Sequence, residues 1–268
     1  MDILGKRILI TGGSSGIGYA LAELLLLKGA LVVITGRRPD VLEAATDKLR
    51  ARGGRIDSVA ADVSSDKGRN DTLKVAIEKL GGLDVLINNA GGVKAGRLED
   101  MSEEAIRAMI EVDLVAPILL SRAALPHLRA RSEGLIVNVT SGLALVGAPY
   151  YAAYSGAKAG LAHFGEALRR ELKGEGVHVM TAYPAATDTP MMQTSRAGPE
   201  LGFILETASA VADAIVSGIE ADAFDVIRGG EARSKLIAIN RNDPAAVDKR
   251  FLDMKPALFE AVRDHSAL

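Results

Sequence analysis

The sequence predicts an α/β fold: a doubly wound parallel sheet of seven strands with helices on both faces, in three layers. Two observations carry this. Short β-branched runs alternate with longer helix-patterned segments along the whole chain, and most of the runs are apolar nearly throughout. Strands covered on both faces need that continuous apolarity, whereas half-exposed strands alternate.

The runs, in order, are RILIT (7–11), LVVIT (31–35), IDSVAA (56–61), DVLIN (84–88), LIVNVT (135–140), VHVMTAY (177–183) and FDVIR (224–228). The intervening segments suit right-handed crossover helices. The segment Ser102–Arg131 is apolar on more than one face, through Ile106, Met109, Ile110, Val112, Leu114, Val115, Ile118 and Leu119. A helix there should be covered by the sheet and by something else, and a second subunit is the expected cover. The stretch 188–203 carries Pro190, Gly198, Pro199 and Gly202 beside Met191 and Met192, and is expected to be a mobile lid. Residues 229–268 read as a helical C-terminal extension of one domain spanning 1–268.

Composition narrows the function. The 268 residues are 48% hydrophobic and 25% charged, at the globular average. A net charge of −2, with basic residues scattered among acids, gives no footprint for nucleic acid. The absence of cysteine removes disulfides, thiol nucleophiles and cysteine-ligated zinc. His127, His163, His178 and His265 share no ligand-like spacing, so no metal is expected. The N-terminus lacks a signal-peptide pattern, and the longest apolar stretch is broken by Glu23, Lys28 and Gly29. A cytoplasmic protein with no membrane partner is expected.

The first strand ends in TGGSSGIG, which sets Gly12, Gly16 and Gly18 at the turn into a helix. Glycine permits the sharp turn and lets a pyrophosphate approach the helix N-terminus, where free N–H groups of Ser14, Ser15, Gly16 and Ile17 favour negative charge. After the second strand, the acid that would hold ribose hydroxyls is replaced by Arg37 and Arg38. Their planar donor forks suit a 2′-phosphate, so NADP(H) is favoured over NAD(H). Asp62 and Val63 after the third strand, and Asn89, Ala90 and Gly91 after the fourth, lie at the same strand ends, where ligands bind in such sheets.

Tyr154 and Lys158 are one helical turn apart. A unit positive charge roughly 5 Å from a phenol, at an effective dielectric near 20, is worth about 3 kcal/mol, or about two pKa units. On that count Lys158 should depress the Tyr154 pKa. TGGSSGIG, NNAG, Ser141 and YSGAK occur in this order, and the set resembles the short-chain dehydrogenase/reductase family from about residue 5 to 228. The resemblance implies a Rossmann-type fold, hydride transfer between a nicotinamide cofactor and a carbonyl or secondary alcohol, and a homodimer or homotetramer. It also implies Tyr154 as general acid/base, Lys158 as its modulator and ribose ligand, Ser141 on the substrate oxygen, and Pro184, Thr187 and Thr189 beside the nicotinamide. Two positions depart from the family pattern. Asp113 stands where an asparagine that holds a relay water is usual, and its charge is expected to hold Lys158 as ammonium and alter the Tyr154 titration; Ala185 replaces the glycine after Pro184. A dinucleotide-binding regulatory protein with weak or no catalysis is the rival reading, supported only by those two departures. Leu143, Tyr150, Met191 and Met192 are expected to line the substrate pocket, with Tyr151 as packing.

Overall fold

The computed structural model describes residues 1–131 and 133–268. Seven parallel strands form the central sheet: β1 (Arg7–Thr11), β2 (Leu31–Gly36), β3 (Arg55–Ala60), β4 (Val85–Asn88), β5 (Gly134–Val139), β6 (Val177–Tyr183) and β7 (Asp225–Ile227). Their spatial order is β3-β2-β1-β4-β5-β6-β7, a Rossmann-like arrangement. The winding reverses between β1 and β4, which opens a crevice above their C-terminal ends.

Each buried strand feeds two cores. In β1, Ile8 and Ile10 pack with Leu21 and Leu25 of α1 (Gly16–Leu27), Leu42 and Leu49 of α2 (Pro39–Arg50), and Ile215 of α7 (Ala208–Glu220). Leu9 points the other way, into a cluster with Leu73 of α3 (Asp66–Leu80), Leu120 of α5 (Ala116–Arg129) and Leu168 of α6 (Ala152–Glu171). The period-two geometry of a strand therefore explains the unbroken apolar runs, since both faces need covering.

The Ser102–Arg131 segment is not one continuous helix. Ser102 caps α4 (Glu103–Ile110), its Oγ accepting from the Ala105 amide at 3.2 Å. A π-helical turn, Glu111–Val115, then inserts before α5. Such a widened turn re-aims the residues inside it, here Asp113, which is fully buried. The outward side stays open: Ile110 is 38% exposed, and Ile106, Leu114, Val115, Ile118 and Leu119 are half-buried.

After β7 come α8 (Gly230–Asn242) and α9 (Pro244–Val262), the latter capped by Asp243. The chain then returns to the sheet edge of the site, where Ser266–Ala267 pairs antiparallel with Val93–Lys94. The stretch 188–203 forms short turns at Pro190–Met192 and Pro199–Leu201 and is tied to this tail, with the Arg196 amide donating to Ala261 O at 2.9 Å. Among the described residues, no helix is long and apolar enough to cross a membrane.

Candidate active site

One cavity of about 1720 Å³ lies at the C-terminal ends of the strands, and Arg37, Arg38, Met191 and Arg233 are among the residues that line it. Its floor is the glycine turn. Gly12 and Gly16 take φ of 67° and 54°, in the left-handed region that favours glycine. Gly18 does something different from the contact expected of it. A Cβ there would lie 2.3 Å from Gly12 O and 2.5 Å from Asn89 Nδ2, so its bare backbone lets α1 close onto β1 and β4, and it does not line the cavity. Thr11 Oγ1 completes the junction by accepting from the Asn89 and Ala90 amides at 3.0 and 2.9 Å.

The N-terminus of α1 fits a phosphate. Ser15 sits at the N-cap without a side-chain hydrogen bond into the helix, whereas Ser65, Ser102, Thr207 and Asp243 cap α3, α4, α7 and α9. Ser14, Ser15, Gly16 and Ile17 line the cavity at this point. Uncapped N–H groups at a helix start attract anions. Arg37 and Arg38 are exposed at the rim and pair with no carboxylate among the described residues. Asp62 Oδ1 accepts from the Ser64 amide and hydroxyl, at 3.0 and 2.8 Å. Val63, Asn89, Ala90 and Gly91 also line this half, which therefore suits a dinucleotide.

Deeper in, the structure brings Ser141, Tyr154, Lys158 and Asp113 together. Lys158 Nζ lies 3.1 Å from Asp113 Oδ1, donates to Val139 O at 3.3 Å, and sits 5.9 Å from the Tyr154 ring centre. The Gly92 amide donates to the same Asp113 oxygen at 3.2 Å. A Cβ on Gly91 would stand 2.6 Å from Asp113 Oδ1, so the glycine of NNAG leaves room for the buried pair. Asp113 Oδ2 is buried and finds no hydrogen-bond partner among the described residues.

These contacts reverse the expected titration of Tyr154. Burial pushes its phenol above the usual value, Lys158 pulls it down, and Asp113 pushes it up again, with the Ser141 hydroxyl a smaller lowering influence. The sequence puts a magnitude on the lysine alone. It leads to the expectation that Asp113 alters the titration without giving a direction, and it leaves out desolvation. For Lys158, burial favours the neutral amine, but Asp113 and Tyr154 outweigh it and hold the ammonium above its ordinary range, while burial pushes the Asp113 carboxyl up against the opposing pull of Lys158 and the Gly92 amide.

The substrate half differs from expectation at one tyrosine. Tyr150 takes φ of 71°, an uncommon backbone for a bulky residue, and its hydroxyl donates to Lys255 O at 3.1 Å while its ring meets Phe259. It packs against α9, and Tyr151 lines the cavity instead. Leu143, Met191 and Met192 line it as expected, with Pro184, Thr187 and Thr189. Ala185 has no left-handed backbone, so the position does not demand glycine on that ground.

Two cavity residues carried no signal in the sequence, His265 and Arg233. His265 Nε2 contacts Met191 O at 3.0 Å, which requires that nitrogen to hold the proton, so Nδ1 accepts from the Tyr151 hydroxyl at 2.9 Å. It links the C-terminal tail to the 188–203 stretch and to the start of α6. Arg233, on the first turn of α8, brings its guanidinium beside Gly142.

Comparison with known proteins decides the family: residues 6–200 match that of the short chain dehydrogenases. The chain belongs to the short-chain dehydrogenase/reductase family. It is 32% identical over 254 residues to the ketoacyl reductase HetN of Nostoc sp., covering 92% of this chain and 88% of that protein. A short chain dehydrogenase from Burkholderia cenocepacia, solved in complex with NADP, superposes with a TM-score of 0.75 at 32% identity, over 85% of this chain and 96% of the other. A Burkholderia phymatum structure in complex with NAD shares the fold, with a TM-score of 0.83 at 23% identity, over 92% and 96% of the two chains. Family membership makes the chain an oxidoreductase acting on carbonyl or alcohol groups.

Proposed function

We propose that the chain is an NADP(H)-dependent oxidoreductase that interconverts a carbonyl and a secondary alcohol, with Tyr154 as general acid and base. The observation that carries this reading is the group of buried Tyr154, Lys158 and Asp113 with half-buried Ser141, in the same cavity as an uncapped helix N-terminus and two arginines that pair with no acid among the described residues. The NADP named with the Burkholderia cenocepacia structure and the ketoacyl reductase named in Nostoc support the direction. The NAD in the second structure does not oppose it, because the phosphate-discriminating arginines are a local feature.

The α1 turn residues would hold the pyrophosphate, Arg37 and Arg38 the 2′-phosphate, Lys158 the nicotinamide ribose, and Thr189 the carboxamide. When bound, the nicotinamide supplies or takes up the hydride at the carbonyl carbon. Tyr154, protonated at neutral pH as any phenol is, delivers its proton to the developing alkoxide. Ser141 Oγ donates a second hydrogen bond to that oxygen. The Lys158 ammonium, kept charged by Asp113, offsets the phenolate left behind. Burial of Tyr154, Lys158 and Asp113 keeps water from competing for the proton.

Residues 1–268 act as one domain in this reading, with 188–203 closing over the substrate. The open apolar side of α4 and α5 is the expected contact of a homodimer or homotetramer. Oxidation of NADPH, followed by its absorbance with a panel of aldehydes and ketones, tests the function. Turnover supports it, and tight NADPH binding without turnover of any substrate replaces it with the regulatory reading. Replacing Arg37 and Arg38 together with Ala is expected to weaken NADPH at least about tenfold more than NADH, since charge-assisted bonds to one phosphate are lost. Equal losses refute the cofactor assignment.

A further inference from the structure

The guanidinium of Arg233 lies against the catalytic wall: a Cβ built on Gly142, the residue after Ser141, would fall 3.0 Å from Arg233 Cζ and 3.1 Å from Nη2. Arg233 lines the cavity, is half-buried, and pairs with no carboxylate among the described residues. The acids near it in the fold are already engaged. Glu206 accepts from Arg228 Nε at 2.8 Å and from the Gly229 amide at 3.2 Å, and Glu231 pairs with Lys235 at 2.8 Å. Burial lowers the pKa of Arg233 below the usual guanidinium value, with no compensating anion. A partly desolvated cation without a counter-charge costs stability, and such costs are concentrated where a ligand relieves them.

We propose that Arg233 is the anion-binding residue of the substrate cavity, and that the carbonyl substrate is an oxo acid whose carboxylate pairs with it while Ser141 and Tyr154 hold the carbonyl oxygen. The planar fork of a guanidinium takes both oxygens of a carboxylate at once. Ser141, Tyr154 and Arg233 line the same cavity, so one small substrate can reach all three. The inference rests on the oxidoreductase reading for the identity of the carbonyl, but the anion site itself does not.

Two measurements separate these. The first compares kcat/KM for α- and γ-oxo carboxylates with that for the methyl ester of each, in the wild type, Arg233→Ala and Arg233→Lys. The wild type is expected to prefer the acid, and the preference should fall by about 10- to 100-fold in Arg233→Ala, through KM, with partial retention in Arg233→Lys. The second is calorimetric titration of the same acids into the protein–NADP+ complex, where no reduction occurs. Acid binding lost in Arg233→Ala upholds the anion site even if no carbonyl is ever reduced. A wild type that ignores the carboxylate, acid and ester losing equally, or a variant changed only in NADPH affinity would each overturn the proposal.

Discussion

At the scale of single residues, the site is a problem in coupled charges. Asp113, fully buried beside Lys158, raises both the lysine and the Tyr154 phenol, so it sets how readily Tyr154 gives up its proton. Asp113→Asn removes that negative charge and keeps the shape. The limb of the pH profile of kcat/KM that reports Tyr154 is expected to move to lower pH, because the phenolate no longer faces a carboxylate. An unmoved limb would remove Asp113 from the titration. The Tyr154–Lys158 spacing was legible in the sequence because a helix makes it local. The direction of the Tyr154 shift was not, because it depends on burial and on a carboxylate delivered from a different helix by a π-helical turn. Tyr150 left its expected place for a similar reason, as its left-handed backbone has no marker in the neighbouring residue types, while Tyr151 packs as expected and also lines the cavity.

At the scale of elements, the β1–α1 junction and the C-terminal tail hold the two halves of the cavity. Gly18→Ala would press a methyl onto Gly12 O and Asn89, and is expected to cost about 1–3 kcal/mol in denaturant unfolding together with NADPH affinity. A variant as stable as the wild type would mean that α1 can move away from β1 freely. The tail depends on His265, whose pKa burial lowers below its ordinary value. A histidine with a depressed folded pKa is neutral in the folded protein while the unfolded chain takes up protons, so its stabilising contribution is complete above about pH 6.5 and falls as pH drops towards the folded pKa. Protection factors of the amides at 194–198 and 265–268, taken relative to the intrinsic base-catalysed rate at each pH, should therefore fall on acidification through that range and lose this dependence in His265→Gln. Wild-type protection factors that do not change with pH there would contradict the role. The strands could be read from the sequence because apolar runs are local. The tail pairing of Ser266–Ala267 with Val93–Lys94 joins distant residues through two short strands too small to leave a pattern.

At the scale of the whole molecule, the sheet order places every strand-end motif at one edge, and this is why motifs scattered from Gly12 to Thr189 converge on one cavity. The family motifs made that convergence readable in advance. The extension was read as helical, but its contribution of Arg233 and His265 to the cavity follows only from how α8 and the tail fold back. A dinucleotide bound across the crevice stabilises the fold by mass action, about 2.7 kcal/mol at a hundredfold excess over Kd. NADPH is therefore expected to raise the melting temperature more than NADH at equal concentration, and the reverse order would contradict the arginine assignment. The central claim, that Tyr154 moves the proton, is tested most directly by comparing wild type and Tyr154→Phe for turnover of a carbonyl substrate and for NADPH affinity. A fall in turnover of at least about 100-fold with little change in affinity is expected. Near-normal turnover in Tyr154→Phe would contradict it.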